Sequence, residues 1–236
     1  MDLDEERLRR GLASLSGLDV ASVGVVAALN EVVAAVPAIL GVDGSGLMMI
    51  DADLELHATA WSDDAALAFE SVQEENGRGP CVESLLHDRV VAVTDITVDP
   101  RWPEVTDAVA ALGVRAVLGV PVHLDGENVG ALNVYSTEPH EWSDDEINAV
   151  TAISNVLRQL ISVAVLGSNG GDDVVQQLQA ALDTRVVIER AVGLVMGRRA
   201  VDAVEAFGAL RTAARRERRR VYELALEVLD GRWLDD

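Results

Sequence analysis

The stretch Asp183–Ala214, DTRVVIERAVGLVMGRRAVDAVEAFGALRTAA, predicts two consecutive helices. Apolar residues in its first half recur at steps of three and four, the period of a helix that buries one face. We expect that helix to end near Arg199. Asp202, with Glu205 three residues later, is typical of a new helix start, because a carboxylate there accepts a backbone N–H. A third periodic run begins at Val221, so the stretch indicates a three-helix unit.

This three-helix region resembles the ANTAR family, and the resemblance covers residues 174–230. The resemblance implies a compact RNA-binding domain that acts in transcription antitermination. One position departs from the family pattern: Val192 stands where the family usually carries a lysine before the glycine of the first helix. The residues that carry the resemblance are Arg185, Ile188, Ala191, Gly193, Met196, Glu205, Ala206, Phe207, Leu210, Arg211 and Ala213.

Arginines supply every fixed positive charge in this chain, which has no lysine. A guanidinium suits bidentate contacts with phosphate and stacks on bases, and unpaired RNA bases also stack on aromatic rings. The alternative interpretation is a solvated turn between helices, balanced by Glu217 and Glu223. The predicted RNA-binding residues are Arg185, Arg190, Arg198, Arg199, Arg211, Arg215, Arg216, Arg219, Arg220 and Tyr222.

The net charge of −21 is distributed unevenly. Residues 1–171 carry 8 arginines and 28 acidic residues, whereas residues 172–236 carry 11 arginines and 12 acidic residues. A strongly acidic surface repels nucleic acid over the screening length. Residues 172–236 are therefore the part of the chain that we expect to bind RNA.

The chain before this region alternates between helical and strand periods, which predicts an α+β fold with a central antiparallel sheet. A helical lead covers residues 1–19. Segment 74–80 reads as a loop, and Asp125-Gly126 indicates a tight hairpin turn. The predicted helices cover 20–40, 65–72, 81–86, 103–112 and a long run from Ser143, and the predicted strands cover 47–51, 54–60, 90–94, 116–124 and 129–135.

Two segments of this α+β region resemble a GAF domain: ENGRGPCVESLLHDRVVAVTDITVDPRWPEV (75–105) and GVRAVLGVPVHLDGENVGALNVYS (113–136). The resemblance implies a sheet whose one face holds a small-molecule ligand, or a domain that mediates dimerisation. The predicted organisation is a lead at 1–19, a GAF-like domain at 20–166, a flexible linker at 167–172 and an ANTAR-like domain at 173–236.

Polar and aromatic residues on otherwise apolar sheet and helix segments are the candidates for a ligand site. Cys81 starts a short helix, where amide dipoles favour a thiolate; the alternative is a small buried packing residue. Trp61 and Tyr135 can instead be core or interface residues, since a GAF domain used only for dimerisation needs no ligand. The predicted ligand-binding residues are Trp61, Cys81, Glu83, His123, Asn133 and Tyr135.

Catalytic and metal-binding patterns are weak in this sequence. One cysteine allows no intramolecular disulfide, and it has no resolving thiol of the kind used by GAF-fold enzymes that reduce methionine sulfoxide. The four histidines match no metal-ligand spacing. We find no nucleophile elbow or phosphate-binding glycine loop. The sequence therefore predicts a protein that is not an enzyme and holds no metal, and it identifies no cofactor.

The favoured hypothesis is a cytoplasmic transcription regulator, a homodimer that binds RNA stem-loops under the control of a GAF-like sensor. A charged start, MDLDEERLRR, is unlike a signal peptide, and no membrane association is expected. Two alternatives remain open at this point. One is a ligand-binding dimer whose C-terminal module does not bind RNA, and the other is a DNA-binding repressor.

Overall fold

The computed structural model describes residues 4–51, 56–167 and 173–232. Residue contacts divide the chain into two compact units, with the change from one to the other between Gln176 and Gln177. Two predicted connections fall mostly outside the described residues: a polar hairpin turn at Asp51-Ala52-Asp53, of which only Asp51 is described, and the linker at 167–172, of which only Gly167 is described.

A five-stranded antiparallel sheet forms the centre of the first unit, which confirms the predicted fold class. The strand order is β2-β1-β5-β4-β3. In the middle of the sheet, β1 pairs with β5 and β5 pairs with β4, both antiparallel. The strands are β1 (Gly44–Ile50), β2 (Leu56–Trp61), β3 (Val91–Val93), β4 (Ala116–Leu124) and β5 (Glu127–Ser136).

The β4–β5 hairpin forms the core of the sheet, because its residues are mostly apolar on both faces and nearly all are buried. Its turn is Asp125-Gly126, as predicted, and both residues have positive φ, 52° and 88°. Positive φ at both turn positions gives the twist that matches two paired strands.

Helices cover both faces of this sheet. Neighbouring residues on β1 show the two faces: the Ser45 hydroxyl donates to the carbonyl of Val33 in α3, whereas Gly46 lies against Glu70 in α4. The helices are α1 (Glu5–Ser16), α2 (Val20–Val23), α3 (Val25–Leu40), α4 (Asp64–Asn76), α5 (Pro80–His87), α6 (Pro103–Ala111) and α7 (Asp144–Gly167).

Two of the predicted elements of this unit differ in the structure. The helix predicted over 20–40 is broken at Gly24, whose φ of 84° is incompatible with a continuous helix. The prediction of a loop over 74–80 was wrong for its first three residues, since α4 continues to Asn76 and ends at Gly77 in the left-handed region. Glutamate and glutamine favour helices, so acidic composition alone does not indicate a loop.

Helix α7 begins with a reciprocal cap formed by Ser143 and Glu146. Ser143 N donates to Glu146 Oε2 at 2.8 Å, and Glu146 N donates to Ser143 Oγ at 3.3 Å. Among the described residues, α7 is the one helix long and apolar enough to cross a membrane. It packs against β4 instead, where the Ser154 hydroxyl donates to the carbonyl of Pro121 at 2.6 Å. It is a core helix of this unit.

The described part of the second unit, up to residue 232, contains three helices, as predicted: α8 (Asp173–Arg199), α9 (Ala203–Glu217) and α10 (Val221–Leu229). Helix α8 ends at Arg199 as expected, and the Asp202 side chain accepts the backbone N–H of Glu205 at 2.9 Å. Gly231, with φ of 75°, follows the end of α10. The buried residues of this unit include Ile188, Ala191, Val195, Ala206, Phe207, Leu210, Ala214, Val221, Leu224, Ala225 and Val228.

Candidate functional sites

A fully buried polar cluster joins α4, α5 and β5 in the first unit. The amide nitrogen of Asn133 lies 2.8 and 3.0 Å from the two carboxyl oxygens of Glu70. Gln73 donates to the same carboxyl at 2.8 Å, and its own oxygen accepts the backbone N–H of Cys81 at 2.8 Å. One side-chain carboxyl therefore connects two helices to the central strand of the sheet.

Glycines provide the space for this cluster. A Cβ atom at Gly46 would collide with Glu70, and one at Gly79 would collide with Gln73. At Gly119, a Cβ atom would lie only 2.9 Å from the side-chain oxygen of Asn133. The absence of a side chain at these positions lets three polar side chains enter the core.

Burial sets the protonation of this cluster. It raises the pKa of Glu70 to about 8, although the hydrogen bonds from Asn133 and Gln73 act in the opposite direction. Burial, followed by the nearby Glu70, raises the pKa of the Cys81 thiol well above its usual value. The sequence left Cys81 open between a thiolate and a small buried packing residue, and burial favours the neutral thiol. Cys81 is completely buried.

A second polar group, at the start of α4, involves Tyr135. Its hydroxyl donates to Asp63 at 2.9 Å, and Asp63 caps α4 by accepting the backbone N–H of Ala66 at 2.9 Å. Burial, together with Asp63, raises the pKa of Tyr135 far above its usual value. Tyr135 is only 5% exposed, so it both fills the core and holds the start of a helix.

The remaining predicted ligand-binding residues lie apart from the cluster. Trp61 is at the end of β2 and is partly exposed. Glu83 on α5 pairs with Arg89 and Arg101. His123 on β4 lies 2.6 Å from Asp88.

The structure thus brings Cys81 and Asn133 together, and it adds two residues that sequence reasoning missed, Glu70 and Gln73. A sequence signal for them existed: they share the buried stripe of α4 with Ala66 and Phe69, at steps of three and four residues. Polar residues on the buried face of a helix need partners in the core.

In the second unit, Arg219 is held by three glutamates. Its guanidinium makes two hydrogen bonds to Glu227, at 3.0 and 2.9 Å, and lies 3.4 Å from Glu217 and 3.7 Å from Glu223. These contacts raise the pKa of Arg219, with Glu227 as the largest cause. We call this group the Arg219 clamp; it ties the turn between α9 and α10 to α10 itself.

The residues on either side of Arg219 are exposed. Arg218 ends α9 in the left-handed conformation, with φ of 54°. Arg220 is the N-cap of α10 and provides no side-chain cap. Within the described part of the chain, Arg218 and Arg220 make no ion pair, and Arg216 contacts only Glu217, at 3.5 Å. The turn therefore presents arginines to solvent around one arginine that is fixed.

The other predicted RNA-binding residues are distributed along α8, α9 and α10. Arg185 pairs with Glu189 at 2.7 Å, and Arg211 lies over the ring of Phe207 at 5.9 Å. Arg190, Arg198, Arg199 and Arg215 are exposed, whereas Tyr222 and Val192 are half-buried.

Comparison with protein families identifies both units. The model of the GAF domain matches residues 25–161, and the model of the ANTAR domain matches residues 176–229. The chain therefore belongs to the GAF family and carries an ANTAR domain after the GAF domain. This combination defines a sensor-regulated, RNA-binding regulator. A search of curated proteins gives no match.

Solved structures show the same fold for the first unit. The free methionine-R-sulfoxide reductase from Neisseria meningitidis is 18% identical over 70% of this chain and 91% of its own, with a TM-score of 0.55. The phycocyanobilin-bound GAF domain from a cyanobacterial phytochrome is 20% identical over 72% and 100%, with a TM-score of 0.54. The GAF domain from Acinetobacter phosphoenolpyruvate-protein phosphotransferase is 15% identical over 72% and 99%, with a TM-score of 0.55. At these identities the likeness shows the fold alone.

Proposed function

We propose that this protein is a cytoplasmic transcription antiterminator that binds RNA stem-loops through its ANTAR domain, under the control of its GAF domain. The observation that carries the proposal is the ANTAR domain with exposed arginines at the turn between α9 and α10. By holding a stem-loop, the protein prevents a terminator hairpin and lets polymerase continue. It acts as a binding protein and not as an enzyme.

The physical basis of RNA binding is the contrast between Arg219 and its neighbours. Arg219 is occupied by three glutamates and fixes the backbone of the turn, whereas Arg216, Arg218 and Arg220 extend from it. Arginine makes bidentate contacts with phosphate. The first backbone N–H groups of α10 receive no side-chain cap from Arg220, and such groups also favour anions. The turn is thus suited to a phosphate backbone, with Tyr222 available for a base.

Dimerisation is the second part of the proposal. Two ANTAR domains held in one homodimer bind two stem-loops of the same RNA with a gain in effective concentration. A small molecule in the GAF domain would change how the two ANTAR domains are presented. The candidate residues for that ligand remain Trp61, Cys81, Glu83, His123, Asn133 and Tyr135, and we add Glu70 and Gln73.

The test is binding of the full chain to a pool of hairpin RNAs across a salt series. The variant R198A/R216A/R220A removes three exposed arginines and leaves the Arg219 clamp intact. The matched control R9A/R10A/R78A removes three exposed arginines from the first unit, with the same change in net charge. We expect the first variant to lose affinity and to show a smaller salt slope, because fewer counterions are released. The control should bind like the wild type.

Three other outcomes have distinct meanings. Equal losses in both variants would show that net charge alone attracts RNA, which contradicts a site on the ANTAR domain. Preference for duplex DNA over hairpin RNA would support a repressor. An absence of binding to any nucleic acid at low salt would support a ligand-binding dimer, for which Val192 at the usual lysine position is the motivating observation.

A further inference from the structure

The buried Glu70 cluster contains one hydrogen-bond acceptor that has no partner. Both amide nitrogens in the cluster, from Asn133 and Gln73, point at the Glu70 carboxyl. The side-chain oxygen of Asn133 is left without a hydrogen bond in the described structure. Asn133 is only 2% exposed, so this oxygen cannot be satisfied by bulk water. An unpaired buried polar atom of this kind is costly.

The arrangement of donors around Glu70 suits only one of its two protonation states. An ionised carboxylate accepts hydrogen bonds through both oxygens, as it does here. A protonated carboxyl has an O–H group that needs an acceptor. None of the three contacts that Glu70 receives from Asn133 and Gln73 provides one, because each comes from an amide nitrogen.

Rotation of the Asn133 amide by half a turn resolves both problems at once. The oxygen then occupies the position of the nitrogen and accepts the Glu70 O–H group. The nitrogen moves to the side of Gly119, where the Asn133 oxygen lies in this structure, 2.9 Å from the Cβ position of Gly119. The Asn133 amide can therefore offer Glu70 a donor when the carboxyl is ionised and an acceptor when it is protonated.

We propose that Glu70 and Asn133 form a proton switch inside the GAF domain. When Glu70 carries a proton, the Asn133 amide oxygen accepts it. When that O–H bond breaks and the proton leaves to water, the amide turns over and its nitrogen donates to the carboxylate, as in this structure. Gln73 links Glu70 to the start of α5. A change in the protonation of Glu70 therefore alters hydrogen bonds of α4, α5 and β5 together. This inference concerns the GAF domain and is independent of RNA binding.

The pKa of Glu70 sets the pH range in which the switch changes state. The pKa of Glu70 is raised to about 8 from the usual 4.5, mainly by burial. The thiol of Cys81 on α5 is the other titratable group against Glu70, and its own pKa is raised further by that carboxyl. Several titratable groups on the surrounding elements are paired elsewhere: His57 with Glu74, Asp63 with Tyr135, Glu104 with Arg78, Glu83 with Arg89 and Arg101, and His123 with Asp88. Others on these elements are exposed to solvent: Asp64, Glu75, His87, Asp107 and Glu127.

The test uses the full chain as the wild type and as Glu70→Gln, with Glu75→Gln as the control. Glu75 is on the same helix but exposed. Infrared difference spectra between about pH 6 and pH 10 report a protonated carboxylic acid by its carbonyl band. We expect this band in the wild type and in the control, lost with a midpoint near the pKa of about 8 given for Glu70. It should be absent from Glu70→Gln.

The amide rotation has its own readout. The side-chain NH₂ signals of Asn133, identified by their disappearance in Asn133→Leu, should shift in the wild type with the same midpoint. In Glu70→Gln, the new amide can donate to the Asn133 oxygen permanently. The Asn133 signals should then resemble those of the wild type at low pH and should not titrate.

Two results would overturn the proposal. Absence of the acid band at the lowest pH would mean that Glu70 is ionised throughout. A titrating band with unchanged Asn133 signals would mean that the amide does not turn. If Glu70→Gln does not fold, carbon-13 spectra of the wild type decide the first question, because a buried carboxyl with a midpoint near 8 is distinct from exposed acids.

Discussion

The two units of this protein hold their polar clusters in opposite environments. Glu70 in the GAF domain is fully buried with Asn133 and Gln73, whereas Arg219 in the ANTAR domain pairs with three glutamates that are about one third to one half exposed. A buried polar group depends on each of its partners, because water cannot replace them. An exposed ion pair is screened by salt, and water can replace either partner. Burial, more than the number of contacts, determines how much each cluster contributes to the free energy of unfolding.

The strongest test of this comparison is Glu70→Ala. It leaves the amide nitrogens of Asn133 and Gln73 without an acceptor in the core. We expect the GAF domain to lose about 2–4 kcal/mol of unfolding free energy. Urea unfolding followed by tryptophan fluorescence measures the loss, because Trp102 is buried in this unit. Glu75→Ala on the exposed face of α4 is the control, and equal effects of the two changes would contradict a special role for burial.

The second largest loss of unfolding free energy should come from filling the space around Glu70. Gly46→Ala places a methyl group in collision with the Glu70 side chain. We expect a loss of about 1–3 kcal/mol, the usual cost of overpacking. The same unfolding measurement detects it. A stability like that of the wild type would show that Glu70 can move aside, and hence that the cluster is less rigid than the buried environment implies.

Gly193→Ala in α8 should increase the free energy of unfolding, whereas the two preceding changes decrease it. A Cβ atom at Gly193 would meet nothing within 4 Å, and glycine in a helix interior is less favourable than alanine. We expect a gain of about 1 kcal/mol in the ANTAR domain. Thermal unfolding followed by the helical circular dichroism signal measures it. A destabilised variant would indicate that another molecule or subunit approaches α8 closely at this position.

The smallest effect should come from Arg219→Ala. It removes the centre of the Arg219 clamp, but the released glutamates are accessible to water. We expect a slight loss of stability at low salt that decreases as salt is added. Thermal unfolding at two salt concentrations, with Arg216→Ala as the control, tests this. A large, salt-independent loss would mean that the clamp behaves like the buried cluster.

Much of the fold was predictable because it depends on local patterns. The periods of α8, α9 and α10, the cap at Asp202 and the Asp125-Gly126 turn all involve residues within a few positions of each other. The break at Gly24 and the extension of α4 to Asn76 were not predicted. A single glycine is tolerated in many helices, and the acidic end of α4 resembles a loop in composition.

The candidate sites were less predictable, because their contacts join residues far apart in sequence. Glu70 meets Asn133 across 63 positions, and the sequence does not show which polar residue on α4 faces the sheet. For Cys81 the sequence left two interpretations open, a thiolate or a buried packing residue, and the complete burial of Cys81 is a property of the whole domain. The contrast between Arg219 and the neighbouring arginines likewise depends on Glu227, eight positions further along the chain.

The sequence by itself determined the order of helices and strands, the division of charge between the two halves and the membership of both domains, because these follow from local periodicity and motif spacing. Only the tertiary structure decided which side chains are deprived of water. It placed Glu70 in the core with a raised pKa, left the Asn133 oxygen unpaired and occupied Arg219 with glutamates. Desolvation depends on every element packed around a group, so these properties appear only when the chain is folded.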